Sequence, residues 1–188
     1  AEHCLLPYLA QLHGQVIRSH DLRIFGLTEP QVQELLSDLL RREDDLTLAP
    51  YAGTGEVSLH LSARAADEAA CEARMAPLLA EVRQRLGGYL YGEDISGLEE
   101  AVFRLCRDRH LTLSAAESCT GGLIAKRLTD VPGASQIFLG GVVSYTNEVK
   151  NHVLGVPASL LEAYGAVSAP VARAMAVGVR VLTGSDLS

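Results

Sequence analysis

The sequence predicts an α/β protein in two parts: an α+β domain of order βαββαβ over residues 15–95, then an α/β domain of sheet and covering helices over residues 96–188. Three observations carry this. Short runs of alternating apolar and polar residues interleave with longer runs of helical period. Net charge breaks midway, because residues 1–95 hold 8 basic and 15 acidic side chains and residues 96–188 hold 8 of each. Ser96-Gly97-Leu98-Glu99 then spells a capping box, a helix start that opens the second part.

The first fourteen residues carry Leu5, Leu6, Leu9 and Leu12 on one helical stripe, with nothing before them to cover it. They are expected to be the remnant of a preceding element. VIRSHDLRIFG (16–26) alternates in strand fashion through Val16, Arg18 and His20. In TEPQVQELLSDLLRR, Thr28 is the expected N-cap, Pro30 falls in the first turn, and Val32, Leu35, Leu36, Leu39 and Leu40 recur at helical spacing. A strand from Leu46 to about Pro50, a turn at Gly53-Thr54-Gly55 and a strand with Val57, Leu59 and Leu61 on one face read as a hairpin. Residues 67–86 are helical in phase through Ala70, Arg74, Pro77, Leu78, Val82 and Leu86, with a kink expected at Pro77 unless the helix begins there. Gly87-Gly88 ends it, and YLYG adds a strand.

The second part reads as helix 97–109 with Leu98, Val102, Leu105 and Cys106 inward, strand 111–116, a turn, helix 120–130, strand 137–145, and helices 147–154, 157–164 and 169–183. Strands separated by helices imply a parallel or mixed sheet.

Composition excludes several classes. A hydrophobic fraction of 48% contains no run long enough for a membrane helix, and no basic-then-apolar leader opens the chain, so a cytoplasmic protein is expected. Cys4, Cys71, Cys106 and Cys119 form no CxxC pair, which favours reduced thiols over a disulfide framework or a metal site. An acidic first half without a lysine suits a phosphate backbone poorly, so nucleic acid is not an expected partner. His13, His20 and His60 are assigned no chemistry, and Glu43-Asp44-Asp45 reads as a solvated loop.

Chemistry concentrates at AESCTGG, residues 116–122. A strand-to-helix turn lifts Ser118 from the sheet edge and aims unpaired helical amides at whatever binds there. A Ser in that place is ordinarily a cap. However, Gly121 and Gly122, read as lying just inside the helix, would cost about 0.8–1.0 kcal/mol each, more than a cap requires. Close approach of a ligand is the reason inferred. The second turn is GGVVSYTNEVK, where Asn147 reads as N-cap and puts Lys150 in the first helical turn. The partial positive charge of a helix N-terminus disfavours an ammonium there and favours the free amine that a general base must be. A lone lysine is more often a solvated surface residue. If both turns meet at the carboxyl edge of one sheet, Ser118 and Lys150 form a dyad, with amides around Thr120 to Gly122 for an oxyanion.

The strings AESCTGG, GGVVSYTNEVKNHVLGV, YGAVS and SAPVARAMA together resemble the carboxy-terminal, nicotinamide mononucleotide (NMN) deamidase domain of the competence/damage-inducible CinA family. VIRSHDLRIFG, APYAGTGEVSLHL and GGYLYG are similar to its KH-type middle domain. The resemblance implies an amidohydrolase converting NMN and water to nicotinate mononucleotide and ammonia, with nucleophile on Ser118, base on Lys150, and Thr120, Gly121, Gly122, Tyr145 and Asn147 around the substrate. It also offers a non-catalytic alternative, an adaptor in competence or the DNA-damage response with a RecA-type protein partner; no cofactor or metal is expected, and apolar surfaces left uncovered at the carboxy end lead to the expectation of a homo-oligomer. The family's molybdopterin-binding-like amino-terminal domain and the GIAGP-type glycine loop expected soon after Gly184-Ser185-Asp186 have no counterpart in this sequence, which implies a truncated second domain and an incomplete pocket. The middle domain lacks the GxxG loop with which KH domains clamp nucleic acid.

Overall fold

The computed structural model describes residues 15–42, 45–53 and 55–188, the side chains of Arg41 and Arg42 excepted. The helix expected near the amino terminus, Glu43-Asp44 and the tip of the hairpin at Thr54 lie outside these. The chain divides into two units, one ending at Gly97 and one beginning at Leu98.

The first unit is a five-stranded antiparallel sheet of order β2-β3-β4-β1-β5, formed by β1 (Val16–Ile24), β2 (Arg41–Arg42), β3 (Leu46–Ala52), β4 (Val57–Ala65) and β5 (Leu90–Glu93). The expected βαββαβ order holds, with β2 as an addition too short to carry a sequence signal. β3 and β4 pair as the hairpin in register Leu48↔Leu61. Alternation in β4 buries Val57, Leu59, Leu61 and Ala63. Helices α1 (Glu29–Leu35) and α2 (Glu68–Leu86) accompany the sheet.

Both helices differ from their expected form. α1 starts on a Thr28/Gln31 capping box and stops after seven residues, so Leu35 is left exposed while Leu36 is buried in the turn beyond. α2 runs unbroken through Pro77, which sits on the exposed side, where the missing N–H costs least. Its buried stripe is Cys71, Met75, Leu78, Leu79, Val82 and Leu86; Arg74, read as part of the helical phase, is exposed and donates to the Arg64 carbonyl at 2.9 Å.

His20 ties three elements together. Its Nδ1 lies 2.7 Å from Asp94 just past β5 and its Nε2 3.0 Å from Glu72 on α2, while Arg18 approaches Glu72 at 3.7 Å and His60 bonds the neighbouring Asp21 at 2.8 Å. Ionised carboxylates only accept, so both ring nitrogens donate only in the imidazolium. The Glu72 hydrogen bond, then that of Asp94, raises His20 above its ordinary 6.5 against the opposing effect of burial. A raised folded value means the clasp contributes in full below pH 6.5 and is lost as pH rises through that value. The gap in melting temperature between parent and His20→Gln should therefore be wide near about pH 6 and close towards about pH 9. A pH-independent gap would refute the clasp.

The second unit pairs β6 (Leu113–Glu117) with β7 (Phe138–Val143) in parallel, Glu117 opposite Val143, with α4 (Leu123–Thr129) as the crossover. Leu187 forms a parallel bridge to Leu113 on the other side of β6. α3 (Leu98–Asp108) buries Phe103 and Cys106 against Ile137, while Leu105, expected inward, is exposed. α5 (Asn147–Leu154), α6 (Ala158–Tyr164) and α7 (Ala169–Thr183) share a core of Leu154, Val156, Leu161, Val171, Met175 and Val179. No helix among the described residues is long and apolar enough to cross a membrane.

α5 and α7 pack so closely that a Cβ at Gly178 would stand 2.0 Å from the Leu154 carbonyl oxygen. That contact needs glycine for space, since backbone on both sides cannot yield cheaply. Gly178→Ala should cost about 1–3 kcal/mol and should loosen the helix that carries Lys150. Calorimetric unfolding checks this; a melting temperature equal to the parent's would contradict the packing.

Candidate active site

Parallel pairing brings the carboxyl ends of β6 and β7 side by side, and each strand runs directly into a turn and a helix. The Ser144 amide donates to the Glu117 carbonyl at 2.8 Å, closing the ladder where the two turns begin. α5 starts on Thr146, whose side chain accepts from the Val149 amide at 3.3 Å. The cap is thus Thr146 rather than Asn147, which is the first helical residue and is exposed. The one-residue change leaves Lys150 in the opening turn, its amide bonded to the Thr146 carbonyl.

From there the Lys150 side chain turns inward. At 1% exposure it is among the largest fully buried side chains of the protein. Its Nζ lies 3.1 Å from Ser118 Oγ, 2.7 Å from the Ser144 carbonyl oxygen and 3.5 Å from that of Tyr145. Among the described residues no carboxylate pairs with it, although a buried cation ordinarily requires one. The other lysine of the chain, Lys126, is exposed and bonds Asp130 at 2.5 Å, as surface lysines do.

The turn before α4 differs from the expected one. Gly121 and Gly122 do not lie within the helix but precede it, with φ of 63° and 100°, in the left-handed region that penalises a Cβ. Gly122 is the N-cap residue and has no side chain to cap with. Glu117 supplies the cap from the strand instead: its carboxylate accepts from the Ile124 amide at 3.0 Å, the Ala125 amide at 2.9 Å and the Thr120 hydroxyl at 2.7 Å. Burial pushes this carboxyl up, but the Ala125, Ile124, Thr120 and Gly122 donors outweigh it and hold Glu117 below its ordinary value. No capping-box spacing marks this residue, since its partners stand seven and eight positions on; it was not assigned a role from sequence.

A cleft of about 480 Å³ opens beside Ser118. Glu117 to Thr120 and Ile124 line one side, and Ala166 to Ala169, Ala172 and Met175 the other. Of the residues expected at the site, Ser118, Lys150 and Thr120 come together here, with Gly121 and Gly122 shaping the turn. Tyr145 contributes its carbonyl to Lys150 while its side chain is 74% exposed, and neither it nor Asn147 lines the cleft. The α6–α7 connection at 166–169 carried part of the sequence resemblance but was given no site role. Cys119 is an exposed free thiol in the same cleft. No cluster of His, Cys, Asp or Glu among the described residues has the arrangement of a metal site.

Comparison with known proteins fits both units. The profile of the CinA C-terminal domain matches residues 95–188, and that of the damage-inducible protein CinA KH domain matches residues 19–92. A competence-damage inducible protein of Symbiobacterium thermophilum is 52% identical over 97% of this chain and 43% of its own length; one of Moorella thermoacetica is 48% identical over 97% and 44%. The chain thus spans less than half the length of these curated relatives. A crystal structure of a competence/damage inducible protein from Agrobacterium tumefaciens is 39% identical, covering 47% of this chain and 54% of that one with a TM-score of 0.46. Two profiles in the family's order, together with relatives identical at about half of all positions along nearly the whole sequence, assign the chain to the CinA family.

Proposed function

We propose that the second unit is an amidohydrolase that cleaves the carboxamide of NMN, giving nicotinate mononucleotide and ammonia. The observation that carries the reading is the buried Lys150 amine 3.1 Å from Ser118 Oγ with no carboxylate partner among the described residues. Nζ donates to the Ser144 carbonyl at 2.7 Å and lies within hydrogen-bond reach of the Ser118 hydroxyl, from which a free amine at that place can accept a proton.

Ser118 Oγ attacks the amide carbon and gives its proton to Lys150, forming a tetrahedral oxyanion. Lys150 returns that proton to the leaving nitrogen, the C–N bond breaks, and ammonia departs from a Ser118 ester. Water then attacks the ester while Lys150 takes one of its protons. Collapse returns that proton from Lys150 to Ser118 and releases the carboxylic acid, which ionises to the carboxylate and gives its proton to ammonia as ammonium. No oxidant, reductant or metal enters the balance. The substrate class follows from the family resemblance; the geometry supports the acyl-transfer chemistry.

The test is the release of ammonia and nicotinate mononucleotide in equal amounts when the chain is incubated with NMN. An inert chain would overturn the proposal and favour the non-catalytic adaptor that the family resemblance offers as the alternative.

A further inference from the structure

We infer that Glu117 is a positioning residue for the hydrolysis proposed above: it gathers turn donors onto its carboxylate so that the Ser118, Cys119 and Thr120 amides remain for the oxygen of the attacked carbonyl. The inference rests on that reading of Ser118.

Glu117 is 3% exposed and lies immediately before the nucleophile in the chain. A helix start needs one capping acceptor, but here a single carboxylate takes the Thr120 hydroxyl and the amides of Ile124 and Ala125. The main-chain carbonyl of Glu117 meanwhile accepts the Ser144 amide, and the Ser144 carbonyl accepts from Lys150 Nζ at 2.7 Å. One residue therefore fixes the turn bearing Ser118 and, through Ser144, the base that serves it.

The use of the turn's amides makes the assignment specific. Gly121 N–H donates to the Ser118 carbonyl at 3.0 Å and Leu123 N–H to that of Thr120 at 3.2 Å, while Gly122 N–H turns to Glu117. With the Gly121 amide bonded inside the turn and that of Gly122 directed at Glu117, the oxyanion role expected for residues 120–122 falls to the amides of 118–120. Cys119 and Thr120 line the cleft beside Ser118, and among the described residues their amides have no protein acceptor. Donors that are fixed before substrate arrives stabilise the developing charge without reorganising during the reaction.

The experiment compares steady-state NMN hydrolysis by the parent, Glu117→Gln and Glu117→Asp, with circular dichroism and melting temperature alongside. Gln keeps the shape but turns an N–H₂ toward donors, so kcat should fall on the order of 10²-fold while KM stays within about threefold. Glu117→Asp restores an anionic acceptor and should recover part of that loss. Parental kcat in Glu117→Gln, a change confined to KM, or an Asp variant no better than Gln would overturn the inference while leaving the Ser118 reading intact. A parent that releases no ammonia overturns both. Should Glu117→Gln fail to fold, Thr120→Val removes a single donor; a several-fold loss in kcat at constant KM supports the inference, and unchanged kcat defeats it.

Discussion

Lys150→Arg is expected to be as inactive as Lys150→Ala, losing NMN hydrolysis on the order of 10⁴-fold or more. Arginine retains positive charge and hydrogen-bond donors, and it could still reach the Ser144 carbonyl that Lys150 now bonds. Guanidinium, however, stays protonated at any working pH and cannot take the Ser118 proton. It would also be a charge at a position 1% exposed where, among the described residues, no carboxylate pairs with the present side chain. A lysine that only contacted a phosphate would tolerate the exchange, so an Arg variant with most of the parent rate would remove Lys150 from the base role.

Ser118→Ala should abolish turnover, a loss on the order of 10⁴–10⁶-fold, with stability within about 1 kcal/mol of the parent. The asymmetry follows from the contacts. Ser118 Oγ bonds Lys150, and its removal leaves the amine with the Ser144 and Tyr145 carbonyls. The cap of α4 belongs to Glu117 and is untouched. Had Ser118 been the helix cap, its substitution would cost stability and spare the chemistry. Parallel kinetics and denaturant unfolding of this one variant separate the two roles.

Where the sequence was most legible, one physical signal dominated. The element order of the first unit, the β3–β4 hairpin and the bounds of α5 and α7 followed from alternation and helical period. Ser118 and Lys150 could be brought together because a parallel βαβ unit puts successive strand-to-helix turns at one edge. Misreadings arose where two signals competed. Leu39 and Leu40 continue the period of α1, yet they are used in the turn after it, packed on the core from outside the helix. Arg74 and Pro77 fit the phase of α2 numerically, but the wider stripe through Cys71 and Met75 buries more apolar surface. Gly121 and Gly122 read as costly helical residues because composition does not report the sign of φ. Glu117 was hidden because a cap contributed by the preceding strand has no fixed local spacing, and the free or occupied state of turn amides depends on it.

The account turns on a covalent intermediate at Ser118, and partitioning of NMN hydrolysis by hydroxylamine measures that most directly. With hydroxylamine present, the ester should be captured, so that the hydroxamate of nicotinate mononucleotide forms at the expense of the acid while ammonia release continues. Ser118→Ala should form neither product. Ammonia release that yields only the acid at every hydroxylamine concentration, or hydroxamate formation retained by Ser118→Ala, would contradict the assignment of Ser118 as nucleophile.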